Sequence, residues 1–259
     1  MNIHPTAIIS DKAKIDKKAT IGPYSVIEGD VKIKEGSIIK NNVFIKGPCE
    51  IGCNNIIYQF SSIGEDTPDL KFNGEKTKLI IGDRNIFREG VTVHRGTIQD
   101  KGITQIGCDN LFMAYTHIAH DCIVGNKNIF ANNASLAGHV IIGNNVNLGG
   151  YTLVHQFCHI GDYAFSGMGT HISMDVPAFV KVASIPTKLS GLNILGMKRN
   201  DIDSESIKIL KKAYRIVFKN KNKLKDAINE IEELAKNEPN EYLKIFIESI
   251  KSSKRGITR

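Results

Sequence analysis

Isoleucine recurs at every sixth position over the first quarter of the chain. It occupies, without interruption, Ile3, Ile9, Ile15, Ile21, Ile27, Ile33, Ile39, Ile45, Ile51, Ile57 and Ile63. An α-helix repeats every 3.6 residues and a flat strand every two, so neither explains a period of six. Hexapeptide periodicity is typical of a parallel β-helix, in which each coil has three short strands of one hexad each. We therefore predict that the isoleucines point into a narrow core and that three hexads complete one coil.

The repeat is interrupted twice. Residues 64–80 leave the pattern, and a second interruption at 99–105 shifts its phase by one residue. Between and after them the core positions are Ile81, Phe87, Val93, Ile106, Phe112, Ile118, Val124, Phe130, Leu136, Ile142, Leu148, Val154 and Ile160. Breaks in a solenoid correspond to projecting loops, which commonly carry binding residues. We predict such loops near 64–80 and 96–105.

After about Lys188 the hexads stop and apolar residues follow helical spacing. Three stripes are formed by Ile207, Leu210, Tyr214 and Val217, by Leu224, Ile228, Ile231 and Leu234, and by Leu243, Phe246, Ile247 and Ile250. Asp203 or Ser204 is expected to cap the first helix and Pro239 to open the third. The pattern thus predicts a parallel β-helix over 1–187 and a helical domain over 188–259. The helices are expected to cover the open end of the solenoid.

Composition indicates the cellular compartment of the protein. No stretch approaches the ~18 uncharged apolar residues of a membrane span, and the N-terminus does not resemble a signal peptide. The five cysteines are scattered among the hexads without the paired spacing of a zinc site. We expect a cytoplasmic protein without an integral membrane segment.

The net charge of +7 is unevenly distributed. Residues 181–259 contain 18 Lys/Arg against 10 Asp/Glu, whereas residues 1–180 contain 16 against 17. The basic residues of one predicted helix are Lys208, Lys211, Lys212, Arg215 and Lys219. Two interpretations stay open: a solvated helix surface, or a docking surface for an acidic partner. Nucleic acid is not expected, because no aromatic residues or binding motif accompany the charge.

Six of the eight histidines lie between residues 94 and 159. With eighteen residues to a coil, Gly138 stacks on His120 and His139 stacks on Asp121. A base, a carboxylate and a glycine whose backbone N–H can approach a ligand would then lie together. Acyl transfer needs a base to deprotonate the acceptor and an N–H group to stabilise the oxyanion.

Other interpretations of these histidines compete. A histidine on the outside of a solenoid is usually an ordinary surface residue. Some hexapeptide-repeat proteins are zinc carbonic anhydrases with three histidine ligands, but the spacings His117-x-x-His120 and His155-x-x-x-His159 differ from theirs. We expect no metal. A noncatalytic scaffold is a third interpretation, although it does not explain why the histidines cluster around one coil.

Seven segments resemble one enzyme family. They are Ile57-Tyr58-Gln59-Phe60, Gly82-Asp83-Arg84-Asn85, Val93-His94-Arg95-Gly96-Thr97, His117-Ile118-Ala119-His120-Asp121-Cys122, Ala131-Asn132-Asn133-Ala134, Leu136-Ala137-Gly138-His139-Val140 and Val154-His155-Gln156-Phe157-Cys158. The family is that of the UDP-N-acetylglucosamine acyltransferases, which open lipid A biosynthesis. The resemblance spans nearly the whole chain, including the helical tail. It implies a left-handed parallel β-helix and a homotrimer with its clefts between subunits.

The resemblance implies direct, reversible transfer of a 3-hydroxyacyl chain. The chain would leave the phosphopantetheine thiol of acyl carrier protein, so no separate cofactor is implied. It would pass to the 3-position of UDP-N-acetylglucosamine or of its 3-amino analogue. The choice between these two acceptors stays open. His120 matches the general base, Asp121 its supporting acid, and Gly138 the oxyanion donor. The implied substrate-binding residues are Asp69, Lys71, His117, His139, His155, Gln156, Asn193 and Arg199.

Two details depart from the family pattern. Leu195 stands where some relatives have an acidic residue near the nucleotide, and Ala114-Tyr115-Thr116 also differs. Met168 falls at the far end of the family's acyl groove, which predicts a short preferred chain; a side chain that only fills a gap is the alternative. The rival enzymes are the N-acyltransferase of the same pathway and a coenzyme A-dependent acetyltransferase. The former carries an additional N-terminal domain, whereas the repeats here begin at Ile3.

Overall fold

The computed structural model describes residues 2–259, and the hexads fold into a parallel β-helix. Residues eighteen apart pair in parallel on successive coils, as Ile8 does with Val26 and His117 with Ser135. The predicted coil length is therefore confirmed. Each coil passes in turn through three sheets, here called A, B and C.

Three sheets form the sides of the coil. Sheet A contains β1 (Asn2–Ile3), β4 (Thr20–Ile21), β7 (Ile38–Ile39), β10 (Ile56–Ile57), β13 (Ile86–Phe87), β16 (Leu111–Phe112), β19 (Ile129–Phe130), β22 (Asn147–Leu148), β25 (Phe165–Ser166), β27 (Val180–Ala183) and β28 (Lys188–Leu192). Sheet B contains β2 (Ile8–Ile9), β5 (Val26–Glu28), β8 (Phe44–Lys46), β11 (Ser62–Glu65), β14 (Thr92–His94), β17 (His117–Ile118), β20 (Ser135–Leu136), β23 (Leu153–Val154) and β26 (His171–Ile172). Sheet C contains β3 (Lys14–Ile15), β6 (Val31–Ile33), β9 (Cys49–Ile51), β12 (Lys78–Ile81), β15 (Ile103–Ile106), β18 (Ile123–Val124), β21 (Ile141–Ile142) and β24 (His159–Ile160).

The periodic apolar residues fill the inside of the coil. Ile45, Ile63 and Ile118 are completely buried. Phe87, Phe112 and Phe130 follow one another along the axis with ring centroids 4.9 and 5.1 Å apart, close to the spacing of paired strands. The core therefore runs as a continuous column along the coil axis.

Buried asparagines line the corner where sheet C turns into sheet A. The side-chain oxygen of Asn55 accepts bonds from the backbone and side-chain nitrogens of Asn85, at 2.9 and 3.0 Å. Asn85 accepts in the same way from Asn110, and the Asn110 side chain accepts from the backbone N–H of Asn128. Each amide thus satisfies polar groups of the next coil, as buried polar groups require.

The two interruptions both replace the corner between sheets B and C. The first runs from the end of β11 at Glu65 to the start of β12 at Lys78, and the second from the end of β14 at His94 to the start of β15 at Ile103. Strand pairing is maintained across both, because Ile56 pairs with Ile86 and Ile86 with Leu111. The two segments, loop 66–77 and loop 95–102, therefore project from the same corner on successive coils.

The helical region begins after an antiparallel pair, β27 and β28, at the end of sheet A. It contains α1 (Ile194–Arg199), α2 (Ser204–Phe218), α3 (Leu224–Asn237) and α4 (Glu241–Lys251). The three predicted helices are α2, α3 and α4, and Asp203 caps α2 as expected by accepting a bond from the Ser206 N–H. Pro239 does not open α4: Asn240 is its cap, and the helix begins at Glu241. Helix α1 was not predicted because six residues are too few to show an apolar stripe.

The helices pack on the last coils, and their buried residues are continuous with the core of the solenoid. The buried carboxylate of Asp175 accepts bonds from the Ser253 hydroxyl at 2.7 Å and the Lys254 N–H at 3.1 Å. Ser249 accepts a bond from the Ala178 N–H. The C-terminal segment is thereby tied to the solenoid. None of the helices described between residues 2 and 259 combines the length and apolarity needed to cross a membrane.

Candidate active site

The corner between sheets B and C, here called the B–C corner, positions the residues with acid–base chemistry. His120 and Asp121 follow β17, Gly138 and His139 follow β20 one coil later, and Phe157 follows β23 after that. Backbone bonds hold the stack, since the His139 N–H donates to the His120 carbonyl at 3.1 Å and the Phe157 N–H to that of Gly138 at 3.2 Å. The stacking expected from the coil length is therefore observed.

His120 is held by a buried carboxylate. Its Nδ1 lies 2.8 Å from Oδ2 of Asp121, whose side chain is 1% exposed. Thr97 donates to both oxygens of Asp121, from its backbone N–H at 2.8 Å and its hydroxyl at 2.6 Å. Burial acts to raise the pKa of Asp121, but the hydrogen bonds from His120 and Thr97 outweigh it and hold the pKa below its ordinary value. Asp121 is thus a carboxylate that accepts from Nδ1 and leaves Nε2 of His120 to face the cleft.

Gly138 lies directly against the His120 ring. A Cβ atom at this position would be 2.5 Å from Cε1 and 2.7 Å from Nε2 of His120. Any larger residue would therefore displace the ring or the backbone. Within residues 2–259 the Gly138 N–H donates to no acceptor, so it is available to a ligand beside the imidazole.

His139 forms the next layer of the corner. Its ring meets that of His120 edge to face, with centroids 5.1 Å apart, and stacks on Phe157 at 4.5 Å. Its Nδ1 lies 3.2 Å from a carboxylate oxygen of Asp100 in the second loop. His139 is thereby fixed on both sides.

His120, Asp121 and His139 also form a group that could hold a metal ion, with one ligand atom from each within 4.8 Å of the others. Both Asp121 oxygens already accept hydrogen bonds, so a cation would compete with Thr97 and His120 for them. The arrangement therefore favours acid–base chemistry.

A cleft of about 470 Å³ opens beside the B–C corner. It is lined by Asp69, Lys71, Thr97, Gln99, Asp100, His120, His139, Gln156 and Phe157. Five of these were predicted from the sequence. Thr97, Gln99, Asp100 and Phe157 were not, although the interruption of the repeat at 99–105 was a signal that the second loop would contribute.

Two further histidines lie beside His120. Thr92 Oγ1 is 2.7 Å from Nδ1 of His117, and the His117 and His94 rings meet edge to face at 5.1 Å. Burial lowers the pKa of His94 to about 4. Burial, and then the neighbouring His120, also lower the pKa of His117. Both rings are therefore neutral near pH 7.

Several predicted residues lie away from this cleft within one chain. Asn193 and Arg199, with Leu195, line a separate pocket of about 260 Å³ beside α1. Met168 is 82% exposed on the corner between sheets A and B. His155 is exposed, and its Nδ1 lies 3.1 Å from the Gln156 carbonyl oxygen. A single chain thus brings together the acid–base group and loop 66–77, but not the residues near α1.

Comparison with known proteins agrees with this architecture. A family model described as Udp N-acetylglucosamine O-acyltransferase, domain 2, matches residues 175–258, and one described as bacterial transferase hexapeptide (six repeats) matches residues 3–47 and 103–138. The chain is 51% identical over 257 residues to the acyl-[acyl-carrier-protein]--UDP-N-acetylglucosamine O-acyltransferase of Saccharophagus degradans, with 99% of each chain covered. Among solved structures, UDP-N-acetylglucosamine O-acyltransferase from Moraxella catarrhalis has a TM-score of 0.97 at 47% identity, and LpxA from Acinetobacter baumannii 0.97 at 44%. Both comparisons cover 100% of each chain.

Such identity extends through the solenoid, both loops and the helical tail, which is more than a shared hexapeptide fold would require. The chain belongs to the UDP-N-acetylglucosamine O-acyltransferase family of hexapeptide-repeat acyltransferases.

Proposed function

We propose that the protein transfers a 3-hydroxyacyl chain from acyl carrier protein to the 3-position of UDP-N-acetylglucosamine or its 3-amino analogue, the first step of lipid A biosynthesis in the cytoplasm. The observation that carries this proposal is the contact of Asp121-bound His120 with the buried Gly138, where His120 lines a cleft together with Asp69 and Lys71. The names of the full-length relatives support the same substrates.

His120 is the proposed general base. With Nδ1–H donating to Asp121, the Nε2 lone pair can accept the proton of the acceptor hydroxyl or amine. The acceptor then attacks the thioester carbon, and the Gly138 N–H donates to the developing oxyanion. Collapse breaks the carbon–sulfur bond, and the imidazolium returns its proton to the departing thiolate. Asp121 stabilises the imidazolium between these steps.

Gly138 has a second proposed role in this reaction. Because a Cβ would overlap the His120 ring, glycine lets the proposed general base pack directly against the residue whose N–H is the proposed oxyanion donor. The phosphopantetheine thiol arrives on acyl carrier protein, so the proposal needs no resident cofactor and no metal.

Loop 66–77 is proposed to bind the sugar nucleotide. Asp69 folds the loop locally, since its Oδ1 accepts a bond from the Lys71 N–H at 2.9 Å. The Lys71 side chain then supplies a cation to the cleft and Asp69 a carboxylate that can accept from sugar hydroxyls. His117, His139, His155 and Gln156 are proposed to line the remainder of the site.

A homotrimer with clefts between subunits would complete the site. Asn193 and Arg199 lie in a separate pocket and Met168 on another corner of the coil, so only a neighbouring subunit could bring them to this cleft. In that arrangement Asn193 and Arg199 would contact the nucleotide. Met168 would close the end of the acyl groove and favour shorter chains.

Helix α2 is the proposed docking surface for acyl carrier protein, which is strongly acidic. Lys208 is paired with Glu205 and Lys212 with Glu238. Lys211 and Arg215 instead flank a small apolar groove of about 250 Å³ with Tyr214. Cations beside an apolar groove suit an acidic partner, and they would raise its encounter rate at low salt.

The decisive assay offers the purified protein 3-hydroxyacyl-acyl carrier proteins of several lengths, each with UDP-N-acetylglucosamine and with its 3-amino analogue. We expect turnover by the wild-type protein, no turnover in controls without acyl donor, and a large loss of turnover in His120→Ala. Turnover with acetyl-coenzyme A in place of acyl carrier protein would contradict the proposed donor. No turnover with any pair, from folded protein, would favour a noncatalytic scaffold.

A further inference from the structure

Loop 66–77 leaves the solenoid at a partly buried cluster of charges, formed by Lys46, Glu65, Asp66 and Arg95. Lys46 Nζ donates to Glu65 Oε1 at 2.9 Å and to Asp66 Oδ2 at 2.7 Å. Arg95, from the next coil, is paired with the other oxygen of Asp66. Burial acts to raise the pKa of Asp66, but the hydrogen bond from Lys46 and the charge of Arg95 outweigh it and hold that pKa below its ordinary value. Asp66 is therefore held between two cations at the first residue of the loop.

Arg95 is the most buried member of this cluster, with its side chain 6% exposed. One guanidinium nitrogen donates to the backbone carbonyls of Gly64 at 2.6 Å and Gly47 at 3.1 Å, and another binds Asp66. Only the planar fork of arginine offers enough donors in fixed directions to serve two carbonyls and a carboxylate at once. The side chain thus joins the B–C corners of three successive coils.

The backbone at this point also requires a special conformation. Gly64 has a φ of +79°, and a Cβ there would lie 2.3 Å from the Lys46 carbonyl oxygen. The register of β11 against β14 shifts between Ile63 and Glu65, so Gly64 lies at an irregularity just before the chain leaves the solenoid. Arg95 holds the carbonyl of Gly64. Burying an arginine is costly unless its donors are satisfied. Both terminal guanidinium nitrogens of Arg95 have acceptors, whereas its buried Nε has none among residues 2–259.

Residues of both loops that follow this cluster in sequence line the cleft or hold the acid–base group. Asp69 and Lys71 follow Asp66 by three and five residues and line the cleft. Thr97 follows Arg95 by two residues and holds Asp121. A change at Arg95 could therefore act on the binding loop or on the acid–base group, and the two effects are distinguishable by kinetics.

Resting on the proposed function, we propose that Arg95 is a positioning residue for the UDP-sugar: through Asp66 and the Gly64 carbonyl it holds loop 66–77 in the arrangement that presents Asp69 and Lys71 to the cleft. Arg95 touches no substrate in this role. If loop 66–77 is released, a smaller fraction of molecules is competent to bind the UDP-sugar. The apparent affinity for the UDP-sugar then falls in proportion to that fraction.

The test compares Arg95→Met with Asp66→Asn, which keeps the two carbonyl bonds of Arg95. Both variants should raise KM for UDP-N-acetylglucosamine about tenfold, the change expected if the competent arrangement falls to about one-tenth. The kcat and the KM for acyl carrier protein should stay within about twofold of wild type. Amide hydrogen exchange of residues 66–77 should accelerate in both variants, because the released fraction of the loop rises. The double variant should be no worse than Arg95→Met alone, because the two residues act as one unit.

Arg84→Met is the matched control. Arg84 binds both oxygens of Asp109 at 2.7 and 2.8 Å, but it is half exposed and lies at the corner between sheets C and A. Its loss should change neither loop exchange nor KM. Should Arg95→Met fail to fold, Asp66→Asn carries the test.

Two results would overturn the proposal. Unchanged exchange of residues 66–77 in Asp66→Asn and Arg95→Met would show that the cluster does not hold the loop. A fall in kcat with KM unchanged would show that Arg95 acts through Thr97 and Asp121 instead. The exchange measurement needs no substrate, so it decides whether Arg95 holds the loop even if the wild-type protein shows no turnover.

Discussion

Two corners of the same coils differ in whether their hydrogen-bonding groups have partners. At the corner between sheets C and A, Asn85 and Asn110 are buried and satisfy their hydrogen bonds with the neighbouring coils. At the B–C corner, the Gly138 N–H and His120 Nε2 have no partner within residues 2–259. The backbone turn and the apolar column behind both corners are alike. The proposed reactivity therefore rests on hydrogen-bonding groups that the neighbouring coils leave unpaired, whereas we expect the paired groups to contribute stability.

The largest expected effect is on the reactive corner. Replacing His120 by Ala should lower kcat/KM about 10²–10⁴-fold, the usual contribution of a general base. The His120 side chain packs at the edge of the cleft rather than in the core, so the unfolding midpoint in denaturant should stay close to wild type. Activity of His120→Ala above one-tenth of wild type would contradict the role of His120 as general base.

A Gly138→Ala variant tests the close contact behind that chemistry. The added methyl group would overlap the His120 ring, which can swing aside, so we expect a folded protein with kcat reduced about 10²-fold or more. The control is Gly150→Ala, where a Cβ would meet only the Asn132 carbonyl oxygen, at 3.3 Å. In steady-state kinetics, kcat of Gly138→Ala should be far below that of Gly150→Ala. Equal kcat values would show that the contact between Gly138 and His120 has no part in the mechanism.

A substitution at the corner between sheets C and A should lower stability rather than activity. Asn110→Ala removes donors to Asn85 and to the Gly125 carbonyl, and an acceptor for the Asn128 N–H. Leaving buried polar groups unsatisfied costs about 1–3 kcal/mol each, so we expect a loss of roughly 2–4 kcal/mol in unfolding free energy. Denaturant titration would measure it. The fraction that stays folded should keep its kcat, and a selective loss of kcat would contradict the division between corners.

A smaller effect is expected from charge on α2. Reversal of Lys211 and Arg215 to Glu should raise KM for acyl carrier protein severalfold at low salt, with the difference shrinking at ~0.5 M salt as screening increases. Lys208→Glu is a control, because Lys208 is already paired with Glu205 and fully on the surface. An unchanged KM at low salt for the double reversal would exclude this helix as the docking surface.

The last expected effect is on stability in acid, beside the B–C corner, rather than on activity. The pKa of His94 in the fold is about 4, below the value of about 6.5 in the unfolded chain, so the unfolded chain takes up a proton first as pH falls. His94 therefore contributes a loss of stability between about pH 6.5 and pH 4 and no further loss below that range. The His94→Gln variant should lose about 1–2 kcal/mol less than wild type between pH 7 and pH 5 in urea titrations. Parallel curves would contradict this assignment.

Much of the site could be predicted because the coil converts sequence distance into spatial distance. The eighteen-residue repeat predicts that Gly138 stacks on His120, and the breaks in the repeat indicate where both loops lie. Thr97 was missed because loop 95–102 has no repeat from which to infer where its side chains lie. Arg95 was missed as well, since the hexad pattern puts position 95 on the outside, and only the emerging loop buries it. Asn193, Arg199 and Met168 lie away from the cleft within one chain. Their proposed roles rest on the family resemblance, because a period within one chain carries no information about neighbouring subunits.

The pairing of Ile56 with Ile86 has a consequence for protein engineering. Twelve extra residues at the B–C corner leave these strands aligned just as well as those separated by a plain turn. Loop closure becomes costlier only slowly with length, by about 0.6 kcal/mol per doubling. The tight turn at Gly29-Asp30, at the same corner of an earlier coil, is therefore a natural graft point. A foreign peptide inserted there would project from the corner that also carries the cleft, at a distance along the axis set by the number of coils between them.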